Sequence, residues 1–136
     1  MTDSELHNLI RTRFKEQVQT PQSLTTIYDN DPAGPPTDGS TWCRFSIRRG
    51  ETQRITVGVR QYRMMGIAYA QLFCGVGKGD GDLLELADAI ATAFRSQNAS
   101  GIRYGTPSIV PVGVIESEGQ YQINVQCPFA ADTQES

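Results

Sequence analysis

The sequence is short of the residues on which chemistry usually rests. His7 is its one histidine and Trp42 its one tryptophan in 136 residues. A histidine-based triad would have to rest on His7, which falls beside Arg11 on what reads as a solvated helix position, and that geometry argues against it. Cysteine is scarce as well. Cys43, Cys74 and Cys127 are too few to pair completely, no two have zinc-motif spacing, and each lies in an apolar or β-like stretch. They read as three buried thiols, with no metal. Long hydrophobic runs are missing. The longest uncharged stretch, residues 64–77, is interrupted by Gln71 and is too short to span a bilayer. The N-terminus is acidic where a signal peptide would be basic, so the chain is expected to fold in a cytoplasm without a membrane. Nor is there a surplus of positive charge. The formal net charge is −3, whereas a DNA-binding domain is usually basic.

What remains describes an ordinary soluble domain. Apolar residues make up 38% and charged residues 20%, which excludes a collagen, a long coiled coil and a strongly charged disordered tail. A chain of this length forms one domain, 1–136, and buries roughly two thirds of its unfolded surface. The charge is unevenly placed. Residues 1–43 carry three basic and six acidic residues; residues 44–78 carry seven basic residues against Glu51; residues 79–136 carry Arg95 and Arg103 against eight acids. A middle segment of +6 followed by one of −6 suits contact between like subunits, or pairing within one.

Residues 4–19 have the periodicity of an amphipathic helix, with Leu6, Leu9, Ile10, Phe14 and Val18 on one stripe, Thr2 and Glu5 as a capping box, and Pro21 beyond the end. Leu24–Tyr28 reads as a short strand. Residues 29–41 hold three prolines and two glycines and form a long loop, with 35–36 a Pro-Pro pair. Its aspartates Asp29, Asp31 and Asp38 lack the glycine and terminal glutamate of a calcium loop. Trp42–Arg48 alternates, with Cys43, Phe45 and Ile47 opposite Trp42, Arg44, Ser46 and Arg48. Arg49–Gly50–Glu51 reads as a turn leading to a second strand at 54–60, a hairpin rich in arginine. Tyr62–Cys74 is apolar on both faces, as expected of a central strand whose small residues Gly66, Ala68 and Ala70 lie against a helix.

The segment Gly75, Val76, Gly77, Lys78, Gly79, Asp80 invites a phosphate-loop reading that its spacing refuses. A Walker loop needs Ser or Thr after its lysine, and Lys78 is followed by Gly79; the glycines are also one residue off a dinucleotide fingerprint. Asp80 and Asp82 would repel a phosphate at the following helix. The segment is a connection, and no cofactor is expected. Asp82 with Glu85 reads as the cap of a second helix with a stripe of Leu83, Leu86, Ala87, Ile90 and Phe94, ending near Asn98. Strands follow at 102–107, 110–116 and 120–129, the last two a hairpin about 117–119. The last strand places Tyr121, Ile123, Val125 and Cys127 inside and Gln120, Gln122, Asn124 and Gln126 outside. Glu116 and Glu118 flank the exposed turn. Residues 130–136 read as a flexible tail.

Helix, strands, glycine-rich loop, helix and strands give an α+β fold: a single mixed or antiparallel β-sheet with helices packed mainly on one face. The order and spacing of these features resemble the tail terminator proteins of long-tailed phages, the group that includes lambda-like minor tail protein U. The resemblance rests on Leu6, Leu9, Ile10 and Phe14; on Tyr28–Asp29–Asn30, the Pro35–Pro36 loop and Trp42–Cys43–Arg44; on Gly66–Ile67–Ala68–Tyr69 with Phe73; and on Gly75, Gly77 and Gly79 running into Leu86–Ala87–Asp88, Phe94 and the closing Cys127–Pro128–Phe129. Val76 departs from it, in a loop where relatives often place proline.

The resemblance implies a structural, non-enzymatic virion protein. It would form a homo-hexameric ring at the head-proximal end of the tail, stop polymerisation of the tail tube protein and meet the head–tail connector protein, while DNA passes through the lumen without specific binding. Under that reading the expected contact residues are Arg44, Arg48, Arg49, Arg54, Arg60 and Arg63, together with Pro35, Pro36, Gly75, Gly77, Lys78, Gly79 and Asp80. A head–tail connector or tail-completion protein, and more distantly a small α+β ligand-binding module or enzyme, are the alternatives; a deep pocket of convergent polar groups would favour the last.

Overall fold

The computed structural model describes residues 2–29, 34, 36, 39–54, 60–77, 81–95, 98–99, 101–115 and 119–135. The first helix, α1 (Asp3–Phe14), is capped as expected, with the Glu5 backbone N–H donating to Thr2 Oγ1 at 3.2 Å. It continues as a π-helical turn, Lys15–Gln19. The reason lies in the spacing of the stripe. Leu6, Ile10, Phe14 and Val18, all fully buried, recur every four residues and drift by about 40° per step around a 3.6-residue helix. A wider final turn brings Val18 back over the core.

Among the described residues seven strands follow: β1 (Thr25–Tyr28), β2 (Trp42–Arg54), β3 (Arg60–Gly75), β4 (Asn98–Ala99), β5 (Ile102–Tyr104), β6 (Ser108–Ile115) and β7 (Gln120–Glu135), with α2 (Gly81–Phe94) between β3 and β4. They make one mixed sheet in the order β1-β2-β3-β7-β5-β4, and β6 also pairs with β7. β1 runs parallel to β2, and every other pair is antiparallel. The frame is the β3–β7 pair, in register from Gly75↔Gln120 to Arg60↔Glu135.

Both helices pack on one face, as the sequence predicts. Cys43, Phe45 and Ile47 of β2, Met64, Ala68, Ala70 and Leu72 of β3, and Ile123, Val125, Cys127, Phe129 and Ala131 of β7 meet the stripes of α1 and α2 in a single core. Phe14 stacks on Phe45 with ring centroids 4.3 Å apart, and Phe94 meets Tyr104 edge-on at 5.3 Å. The three cysteines are free and buried. Burial pushes the Cys127 thiol up to about 12 and the Cys43 thiol further.

Several expectations need correction. Arg49–Gly50–Glu51 is not a turn; β2 runs through it to Arg54, and the register against β3 shifts between Arg49 and Thr52. A β-bulge absorbs the extra residue that sequence alone reads as a reversal. The partner of 42–48 is therefore 67–73, and Arg54 pairs with Tyr62. Of the expected strand at 54–60, residues 55–59 lie outside the described residues. Asp82 is the second residue of α2 and not its cap, and position 80 before it lies outside the described residues. The helix ends at Phe94, since Asn98–Ala99 already pairs with β5. The strand expected over 102–107 stops at Tyr104. Residues 130–135, expected in a flexible tail, continue β7 to Glu135 along β3, and position 136 lies outside the described residues.

Candidate functional site

The sheet has a second face, turned away from the helices. Alternation along the strands places on it Arg44, Ser46 and Arg48 of β2, Arg63, Met65, Ile67, Tyr69 and Gln71 of β3, Arg103 of β5, and Gln122, Asn124, Gln126 and Asp132 of β7, with Met65 and Ile67 half-buried. No helix covers it. At one end Ile27, Trp42 and Phe73 form a small second cluster with Ile115 against it, and the Trp42 and Phe73 rings stack at 4.4 Å. Sequence alternation alone puts Trp42 on the exposed side; this cluster is why it is buried instead. Gln122 is buried too, and its Nε2 donates to Asn124 Oδ1 at 2.7 Å.

The arginines of this face are held in two ways. The Arg44 guanidinium lies 5.4 Å from the centre of the Trp42 ring, and that of Arg48 lies 4.9 Å from the Tyr69 ring. Both side chains are exposed, and neither has a carboxylate partner among the described residues. Arg63 and Arg103 instead share Asp132 from its two sides. Arg63 Nε donates to Oδ1 at 3.0 Å, while Arg103 donates through its two terminal nitrogens to Oδ2 and Oδ1, each at 3.3 Å. The hydrogen bonds from Arg63 and then Arg103 hold the Asp132 carboxyl below its ordinary range. Asp132 and Arg103 did not stand out in the sequence. The signal was available in the period-two pattern of β7, which carries on through Phe129 and Ala131.

The arginines of the basic segment are divided between the two faces of the sheet. Arg48 and Arg49 are consecutive in a strand and point to opposite sides. Arg49 turns to the helix side and pairs with Asp3 of α1, so it is a contact of the fold. Arg54 and Arg60 end β2 and begin β3, but their side chains lie outside the described ones. Gly75 closes β3, its N–H donating to the Gly39 carbonyl at 3.1 Å, and Gly77 takes a positive φ of 90°. Pro36 is half-buried. Pro35, Lys78, Gly79 and Asp80 lie outside the described residues.

The described residues assemble no reaction centre. The His7 ring lies 3.0 Å from the Asp3 carbonyl on the surface of α1. Two clefts flank that helix, one of about 130 Å³ near Arg13 and Tyr104 and one of about 280 Å³ between Arg11, Lys15 and Tyr28. Both are smaller than ordinary ligand sites, and neither gathers an acid–base pair with a nucleophile. Among the described residues no group of three or more His, Cys, Asp or Glu could hold a metal ion, and no helix is long and apolar enough to cross a membrane.

Comparison with known proteins gives this geometry a context. No curated protein matches the sequence. One solved structure superposes with a TM-score of 0.65 over 96% of this chain and 98% of that one at 17% identity, a likeness in fold. The sequence pattern of the phage tail terminator proteins matches residues 5–129. That span runs from the first turn of α1 to Phe129 on β7 and takes in both faces of the sheet. The chain belongs to the phage tail terminator protein family, structural and non-enzymatic components of the virion tail that associate with its tube.

Proposed function

We propose that six copies of this chain close into a ring on the head-proximal end of the tail tube, that the ring stops tube polymerisation, and that its far side receives the head–tail connector protein. The chain is made in the host cytoplasm and is carried into the virion with the tail. The observation that carries the reading is the open sheet face opposite the helix layer. A two-layer molecule with different chemistry on its two sides makes directional contacts, and head-to-tail contacts repeated by rotation close rings. The loop at 29–41, with Pro35 and Pro36, and the segment from Gly75 to Gly81, with Gly77, Lys78, Gly79 and Asp80, are the contact elements toward tube and connector. Arg44, Arg48, Arg54, Arg60 and Arg63 serve protein contacts. DNA passes the lumen without specific binding, because every phosphate contact would add sequence-independent affinity and oppose its passage.

Electron microscopy of tails assembled with and without the chain tests this. With it, tails of uniform length should carry one sixfold ring at the head-proximal end; without it, tubes should overgrow and fail to join heads. A label found along the tube wall, or one copy per particle, would refute the reading.

A further inference from the structure

The helix layer carries a charge pattern that answers the open sheet face. α2 buries Leu83, Ala87, Ile90, Ala91 and Phe94. At 100° per residue, Asp82, Glu85 and Asp88 centre on the opposite side of the helix, directly away from the core, with Ala89 and Thr92 beside them. All three acids are exposed, and none forms an ion pair among the described residues. On the other side of the molecule, Arg44 and Arg48 stand exposed on aromatic rings and equally without carboxylates. The described charges of the sheet face are Arg44, Arg48, Arg63 and Arg103 against Asp132.

These two sets cannot meet within one chain. The sheet and a helix about 10 Å across stand between them. They can meet between copies, and the dimensions agree: the acids span about 9 Å along the helix, and the two arginines lie about 13 Å apart along β2. The rings hold the arginine heads over the surface, so less side-chain freedom is lost on contact than for free arginines.

Resting on the ring reading above, we infer that the subunit interface is the open sheet face of one copy against the outward side of α2 of the next, with Arg44 and Arg48 facing Asp82, Glu85 and Asp88. The occupant of the sheet face is a second copy of this chain. Ser46, Gln71, Asn124 and Gln126 supply neutral hydrogen-bonding surface beneath the helix, the half-buried Met65 and Ile67 supply apolar contact, and the charges set its direction.

Two charge-reversed proteins test the pairing. One carries Arg44→Glu with Arg48→Glu, the other Glu85→Arg with Asp88→Arg. Each is checked for an unchanged melting transition and then assembled on tail tubes, the rings being counted by electron microscopy and weighed by native mass spectrometry. Each alone faces like charge with like charge, and ring yield should fall at least tenfold. An equimolar mixture should recover rings holding three copies of each, because alternation satisfies every contact in an even-numbered ring. One chain with all four substitutions should also assemble. If either reversal disturbs folding, glutamine replaces the charged residues on that face, and a weakened ring yield is expected in place of abolition. Rings at wild-type yield from either reversed protein, or no recovery in the mixture, would overturn the interface and leave the ring itself standing. Absence of any ring from the wild-type chain would overturn both.

Discussion

Replacing Gly66 with alanine should cost the fold about 2–4 kcal/mol. Gly66 sits in the middle of β3, opposite Phe129 on β7 and Arg49 on β2, where β2 begins its bulge. A Cβ built on it would lie 2.4 Å from the Arg48 carbonyl oxygen and 2.7 Å from Phe129 Cζ. The Phe129 ring, only 4% exposed, occupies the place where a side chain would stand. Alanine must push the ring outward or move the backbone of β2. Overpacking of this kind typically costs about 1–3 kcal/mol. Exposing some 50 Å² of the ring adds about 1 kcal/mol at 25 cal/mol per Å². At this chain length the sum corresponds to a fall in melting temperature of roughly 10 °C.

Differential scanning calorimetry and urea unfolding measure both quantities. Gly50→Ala is the control, because a Cβ there comes no nearer than 3.4 Å to the Met65 carbonyl oxygen. It should change stability by less than about 0.5 kcal/mol. If Gly66→Ala melts within 2 °C of the wild type, the close approach of β2, β3 and the Phe129 ring is not as described. Gly66→Ala combined with Phe129→Leu should cost less than the sum of the two single changes, since the pair shares one space.

Three further outcomes follow from the core and the sheet face. Phe14→Ala removes a fully buried ring stacked on Phe45 and should cost about 3–5 kcal/mol by chemical denaturation. Cys43 and Cys127, whose thiols burial pushes far above the usual range, should resist a thiol reagent at pH 8 in the folded protein and react at once in denaturant; prompt native labelling would contradict their burial. The Asp132 carboxyl is lowered by its arginines, so its contribution is present above the unfolded value near 3.8 and is lost as pH falls through the native value. Asp132→Asn should therefore lower the melting temperature slightly at pH 7, as befits a mostly exposed ion pair, with the two proteins converging in acid; a gap that widens below pH 3 would refute this.

The helices and central strands were legible because their patterns are local. The stripe Leu6, Ile10, Phe14 and Val18 and the alternation from Ile123 to Cys127 each record one buried face within one element. The bulge at Arg49–Thr52 was not legible, because Arg-Gly-Glu satisfies a turn as readily as a widened strand. What decides between them is the pairing of Arg54 with Tyr62, which no local pattern records. The same cause hid the role of Arg49. Its place in an arginine-rich segment made it an expected subunit contact, while the parity of β2 sends it to Asp3 on the helix side. Ala130 to Glu135 read as a tail because small and polar residues carry no hydrophobic signal. They are held by β3 across the ladder and by the arginines about Asp132. Arg103 was passed over because it lies in a short strand whose neighbours gave it no visible partner.

The open face follows from the lengths of the elements. β3 and β7 are each 16 residues, roughly 50 Å of strand. α1 and α2 are 12 and 14 residues, about 18 and 21 Å of helix. Two such helices can bury one face of the frame and no more. The sequences of β7 and β2 agree, since strands buried on both faces would be nearly continuous in apolar residues; central β3 is the exception and keeps Met65 and Ile67 half-buried on the open face. β7 instead alternates Ile123, Val125 and Cys127 with Gln122, Asn124 and Gln126, and β2 alternates Cys43, Phe45 and Ile47 with Arg44, Ser46 and Arg48. Amides of this kind bind water and a protein neighbour about equally well, so they neither drive aggregation of the free chain nor fix the orientation of a partner. Orientation is left to charge, and among the described residues of this face the charge free to act outward sits on β2, since Arg63 and Arg103 already share Asp132. One side of the molecule thus carries a short row of fixed cations, and the far side a short row of anions on α2. An assembly built on that polarity has a direction around its circumference, which a two-fold dimer would not have.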